Sequence, residues 1–165
     1  MTTTFDTTSF ELTHFKEAMA RFPSGVTIVT TTDCDGRWWG FTASSFCSVS
    51  MKPPLVLVCL ANSAECYPAF AATQRWNIHI LHRDHTDLAV RFATRGADKF
   101  ADAGFTLDQH GLPQLTEACV TLQCQQFALQ DGGDHTILLG RVDRVAQKDT
   151  APALYYQRRF HPVAA

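Results

Sequence analysis

The stretch Val26-Thr27-Ile28-Val29-Thr30-Thr31-Thr32-Asp33-Cys34-Asp35-Gly36-Arg37-Trp38-Trp39-Gly40-Phe41 reads as two strands joined by a tight turn. β-Branched residues fill its first half, and Asp35-Gly36 is a strong hairpin-turn pair. Similar punctuation recurs along the chain. Met51-Lys52-Pro53-Pro54 makes a turn, and Leu55 to Leu60 is short and apolar on both faces, as a buried strand is. Trp76 to Leu81 reads as a strand. Ala118 to Leu129 and Thr136 to Ala146 read as two long strands joined through Asp131-Gly132-Gly133-Asp134.

Helical signals are fewer. Thr8 and Glu11 have capping-box spacing, and Leu12, Phe15, Met19 and Phe22 follow as one apolar stripe, stopped by Pro23 and Gly25. Ala64 to Ala72 reads as a short helix limited by Pro68, with Ser63 as its N-cap. Thr86 to Thr94 places Leu88 and Phe92 on one helix face. Many strands, hairpin turns and a few short helices predict an antiparallel barrel, not alternating βαβ units. No G-x-G-x-x-G or G-x-x-x-x-G-K-[ST] occurs, so a nucleotide would bind by another route.

The chain has 165 residues, 45% apolar and 18% charged, with a net charge of −2. That suits one globular domain across 1–165. No run of Lys or Arg supports nucleic-acid binding. The N-terminus has no signal-peptide pattern, and no apolar run approaches the roughly 20 residues of a membrane span. A cytoplasmic protein is expected. Six cysteines occur without a C-x-x-C pair, and they read as reduced small hydrophobes. His79, His82 and His85 run from a strand into a turn with no completing ligand, so no metal site is expected.

Gly40 to Ser50 carries five hydroxyl side chains in eleven positions and no charge. Such residues are ordinary on the solvent face of a strand. They also let a backbone approach a flat ring or a phosphate closely. Ala97-Asp98-Lys99-Phe100 sets a cation beside an aromatic ring, and His135 follows a Gly-rich turn.

Together these segments resemble the short-chain flavin reductases, the reductase components of two-component flavin-dependent monooxygenases. The resemblance rests on Phe22 to Thr30, Asp35-Gly36, Gly40 to Phe46, Ser48-Val49-Ser50, Pro53-Pro54-Leu55-Val56, Ala97 to Phe100, Gly133-Asp134-His135 and Leu154-Tyr155-Tyr156. It spans roughly 14–161. It implies a six-stranded antiparallel Greek-key split β-barrel with a few short flanking helices, assembled as a homodimer. It also implies FMN or FAD as flavin, NADH or NADPH as hydride donor, and a monooxygenase taking the reduced flavin. By resemblance, Thr42, Ala43, Ser44 and Ser45 lie along the ring and ribityl chain, with Ser48, Val49 and Ser50 beside them. Cys59, Leu60, Ala61, Asn62 and Ser63 follow the ribityl and phosphate. Lys99 and Phe100 close the site, His135 sits beside the nicotinamide or flavin as the catalytic candidate, and Tyr156 helps hold the nicotinamide nucleotide. Cys66-Tyr67-Pro68 departs from relatives that carry Ser or Thr first. A flavin-binding protein without catalysis, a corrinoid reductase and a pyridoxine-phosphate oxidase on the same fold stay open.

Overall fold

The computed structural model describes residues 12–163. In chain order the elements are α1 (Leu12–Met19), β1 (Ser24–Gly25), β2 (Thr27–Thr32), β3 (Trp38–Ala43), β4 (Cys47–Met51), β5 (Pro54–Ala61), α2 (Tyr67–Ala72) and β6 (Arg75–Ile80). Then come a 3-10 turn (Arg83–His85), α3 (Thr86–Ala93), β7 (Phe105–Leu107), β8 (Pro113–Leu115), β9 (Val120–Gly132), β10 (His135–Gln147), β11 (Leu154–Tyr156) and β12 (Arg159–His161). The protein is mainly β, and its principal sheet runs β3-β2-β6-β9-β10-β5-β4 with every pair antiparallel.

The expected six-stranded sheet has seven strands among the described residues. The strand not foreseen is β4. Its residues, Cys47-Ser48-Val49-Ser50-Met51, are almost all exposed, and they pair with Pro54 to Leu57 of β5. The edge strands β3 and β4 are consecutive in the chain, and the sheet curls so that β2, β3, β5, β6, β9 and β10 all feed one buried cluster. Strand pairing sets its row: Phe41 opposes Val29, Val29 opposes Ile78, and Ile78 opposes Leu122. The alternate row, Thr42–Ile28–His79–Thr121, points to the other side, as the two-residue period requires.

That outer face is covered by α3. Leu88, Ala89 and Phe92 pack there with Ile28, Val26 and Leu81. Gly40 permits the contact, because a Cβ on it would lie 2.6 Å from the Phe92 ring. Burying Leu88 and Phe92 contributes about 1.5–3 kcal/mol each. The single bond from Thr42 Oγ1 to Ala89 O, 2.6 Å, contributes about 0.5–1.5 kcal/mol. Packing therefore holds α3, and the hydroxyl fixes its register.

Other expectations shift at their ends. Pro68 stands in the first turn of α2, where its missing N–H costs no helix bond. The helix consequently starts at Tyr67, three residues later than expected. Cys66 is its N-cap and makes no side-chain cap bond, so Ser63 is not the cap. No residue of α1 is buried, so its apolar stripe faces outward; Thr8 and Glu11 lie outside the described residues. All six cysteines are free, and Cys119 lies just before β9. No helix among the described residues is long and apolar enough to cross a membrane.

His79 is fully buried, with Nδ1 3.0 Å from the Ile28 carbonyl and its ring against Phe105. The carbonyl only accepts, so Nδ1 carries the ring proton. Burial pushes the His79 pKa down to about 4, from an ordinary value of about 6.5. The unfolded ring protonates as pH falls through about 6.5, whereas the folded ring waits until about 4. Between those values the unfolded state binds more protons, so stability falls as pH falls across the window. The urea midpoint is therefore expected to drop between pH 7 and pH 5, and to drop less in His79→Gln. Equal slopes in the two proteins would refute the assignment.

Candidate functional site

Beyond Leu57, β5 has no β4 partner on its outer edge, because β4 begins opposite that residue at Cys47. The strand continues to Ala61 with β10 on its other side only. Ser45 closes part of the gap. Its hydroxyl accepts from the Cys59 N–H at 3.0 Å and reaches the Cys59 carbonyl at 3.4 Å. Strand alternation puts the Ala61 N–H on the same edge as that of Cys59, facing the opening between β3 and β5.

A cleft of about 330 Å³ lies at this opening. Buried Phe41, Leu60, Cys66 and Phe92 form its apolar side. Thr42, Cys59, Ala61 and Ser63 supply small walls, and Glu65, Arg95, Lys99 and His135 supply charge and titratable groups. A second cleft of about 600 Å³ adjoins it and shares Glu65, Cys66 and Lys99.

The polar groups are held by the fold. Lys99 Nζ donates to the Gly40 carbonyl at 3.0 Å, which uses one of three N–H bonds and leaves the charge at the junction of the clefts. Glu65 accepts from the Gly96 N–H at 3.1 Å and lies 3.4 Å from Arg95 Nε. The Gly96 bond holds the Glu65 carboxyl below its ordinary pKa, with Arg95 adding and desolvation opposing. Burial pushes the Cys66 thiol up, so it stays neutral. His135 pairs in register with Ala61, which brings it to the cleft, and its Nδ1 lies 2.6 Å from Asp134 Oδ1. That contact holds the Asp134 carboxyl below its ordinary range.

Thr42, Cys59, Leu60, Ala61, Ser63, Lys99 and His135 thus meet around one cleft, and Phe100 lines the second. The remaining expected residues lie elsewhere. Asn62 clamps the hairpin turn: its N–H reaches Asp134 O at 3.0 Å, its Nδ2 reaches Gly133 O at 3.1 Å, and its Oδ1 takes Thr136 Oγ1 at 2.8 Å. Ala43 alternates inward with Phe41 and is buried. Ser44 borders a separate hollow with Phe22 and Tyr155. Ser48, Val49 and Ser50 lie on β4, beside the far end of β5 from the cleft. Tyr156 sits in the small sheet β1-β11-β12, its ring 5.8 Å from His161. Glu65 and Phe92 were not foreseen as site residues; Phe92 carried only a helix-face signal and Glu65 no pattern. Cys66 stood out only as a departure from relatives, and Arg95 only as one of three arginines open to a nucleotide 2′-phosphate. Among the described residues no cluster suited to a metal occurs, and His82 stacks on His85 at 4.7 Å.

A curled antiparallel sheet thus opens at one edge over a cleft with apolar, small and cationic sides. The chain belongs to the flavin reductase like domain family, whose model matches residues 19–164. It is 47% identical over 146 residues to the actinorhodin polyketide dimerase of Streptomyces coelicolor, covering 88% of this chain and 82% of that one. It is 43% identical over 150 residues to the NADH:riboflavin 5′-phosphate oxidoreductase of Streptomyces pristinaespiralis, covering 89% and 85%. Among solved structures it is similar to the NADH:FAD oxidoreductase of Streptomyces globisporus in complex with NAD and FAD fragments, with 32% identity, a TM-score of 0.87 and 92% of each chain covered.

The Ser45 hydroxyl ties the segment between β3 and β4 to β5 across the split. Ser45→Ala is expected to lower unfolding stability by about 1 kcal/mol and to speed hydrogen exchange at the Cys59 amide. Unchanged exchange there would show that Ser45 does not hold the seam.

Proposed function

We propose that this chain is an NAD(P)H:flavin oxidoreductase that reduces FMN or FAD and supplies reduced flavin to a partner monooxygenase. The carrying observation is the cleft at the unpaired end of β5, where an apolar side, a free strand edge and the Lys99 cation converge. The same reading takes the curled sheet as a split barrel. The fit to a flavin is chemical: Phe41, Leu60 and Phe92 suit a ring system, and the Ala61 N–H suits its polar edge. Lys99, Arg95 and Ser63 suit the ribityl phosphate.

A flavin held here would supply hydride chemistry with a reduced nicotinamide, chemistry that belongs to the cofactors and needs no protein nucleophile. The chain's part is to hold two rings together and exclude misplacement. Thr42, tied to α3, and Cys59, tied to Ser45, keep the cleft's two sides at fixed separation. His135 faces the cleft with Nδ1 donating to Asp134, which leaves the Nε2 lone pair to accept from a ligand amide N–H. Ser63, Glu65 and Arg95 are exposed, so flavin can enter and leave without any element unfolding. That suits a flavin that diffuses to a second enzyme.

The purified protein is expected to bleach FMN or FAD absorbance with NADH or NADPH under anaerobic conditions; no turnover with any pair would overturn the reading. Lys99→Ala should raise KM about tenfold for FMN but little for riboflavin, which has no phosphate. Equal effects on both would remove Lys99 from the phosphate. His135→Ala should change KM for the nicotinamide or kcat, and an unchanged pair would remove His135 from the site.

The homodimer is part of the proposal. Leu12, Met19 and Phe22 are 60%, 54% and 76% exposed, and Met19 and Phe22 border one surface hollow. Large apolar side chains grouped on the surface mark an interface. Light scattering should give twice the 18.3 kDa chain mass, and Phe22→Glu should shift the population towards monomer. A wild-type monomer at micromolar concentration would refute the dimer.

A further inference from the structure

Glu65 lines both clefts, at the junction where Lys99 also stands. Its carboxylate ties together two loops that border the opening, the one after β5 and the one after α3. Oε2 accepts from the Gly96 N–H at 3.1 Å, 31 residues along the chain, and Oε1 lies 3.4 Å from Arg95 Nε. A neutral amide side chain can accept the same N–H bond, so the tie does not require a negative charge. The charge is nevertheless present throughout the neutral range, because the Gly96 bond holds the carboxyl below its ordinary pKa. A fixed carboxylate repels any phosphate brought to the junction, and such repulsion is useful only where it discriminates between ligands. Arg95 and Lys99 are the cations that line the first cleft, and Glu65 is the anion. Arg95 is taken by Glu65, whereas Lys99 donates to the neutral Gly40 carbonyl and forms no ion pair among the described residues. With His135 neutral, one positive charge is left to face a ligand.

We propose that Glu65 is a specificity determinant of the first cleft: its charge favours a flavin whose phosphate is a diester, as in FAD, over one with a terminal monoester, as in FMN. The proposal rests on the flavin reductase reading. A phosphate monoester carries about −1.5 to −2 at pH 7, whereas a diester, with no second ionisation, carries about −1. The one uncompensated cation matches the diester. The monoester brings nearly twice that charge beside the Glu65 carboxylate and competes with it for Arg95. A neutral side chain in place of Glu65 frees Arg95 and turns the preference towards FMN. The Glu65 side chain is 40% exposed, so solvent and salt screen the repulsion and the expected effect is a factor of about ten.

Calorimetric titration of oxidised FMN, FAD and riboflavin into the full-length protein, Glu65→Gln and Glu65→Asp tests this. Riboflavin has no phosphate, so the other two affinities are read as ratios to it. Glu65→Gln keeps an oxygen for the Gly96 N–H and loses the charge. Its FMN-to-riboflavin ratio should rise about tenfold over the wild type and its FAD-to-riboflavin ratio about threefold or less, and both gains should shrink at high salt. Glu65→Asp keeps the charge on a shorter stem and should stay near the wild-type ratios. An FMN ratio that does not rise in Glu65→Gln would overturn the proposal. So would equal rises for FMN and FAD. A rise in Glu65→Asp as large as in Glu65→Gln would assign the effect to the tie between the loops and overturn it as well. The flavin reading survives all three of those results; it falls if the wild type binds none of the three flavins, and the proposal then falls with it.

Discussion

The site depends on a mismatch of strand lengths. β5 runs through Ala61 but β4 reaches only to a position opposite Leu57, so the last part of β5 has an edge that no strand covers. Unpaired backbone edges are costly when buried and invite pairing when exposed. Here one hydroxyl, that of Ser45, satisfies Cys59 across the gap, and the rest of the edge opens on a cleft. Everything else follows from that opening. His135 arrives because β10 pairs with β5 up to Ala61, and Lys99 arrives because its amine is tied to the carbonyl of Gly40 in β3.

Two packing layers keep the opening in shape. Inside, the row from Phe41 to Leu122 fixes the curl of the sheet. Outside, Phe92 rests on the bare backbone of Gly40, so α3 and the following loop meet the sheet closely enough for Lys99 and Phe100 to border the clefts. Phe92 is at once a core residue of α3 and part of the cleft's apolar side. A change at the interior face of α3 is therefore transmitted to the site with no flexible link between them.

The strands with β-branched or doubly apolar runs were legible: β2, β5, β6, β9 and β10 fall within a few residues of the expected ranges. β4 was not, because its five residues are exposed along nearly the whole strand and include no run of β-branched or doubly apolar residues. The paired strands β7 and β8 and the pair β11 and β12 are three residues each, too short for a period to register. The cleft lining was legible where residues sit in a local run, as in Thr42, Cys59 to Ala61, and Lys99. It was illegible where tertiary contact decides. Asn62 lies in the expected run, yet the hairpin turn takes its amide. Ser48 to Ser50 lie in the hydroxyl-rich run, yet β4 carries them away along β5.

Arg37, Trp38 and Trp39 show the same limit from the other direction. In sequence they only begin a returning strand. The turn built on Asp33, whose Oδ1 accepts from the Asp35 and Arg37 amides at 3.0 and 2.9 Å, fixes where Arg37 leaves the backbone. The other oxygen of the same carboxylate takes the Trp39 indole at 2.7 Å. That indole bond holds the Asp33 carboxyl below its ordinary pKa, so it stays an acceptor through the neutral range. One side chain thus sets both a hairpin and an aromatic wall. A residue that reads only as a turn former therefore shapes the larger cleft by holding two of its lining residues.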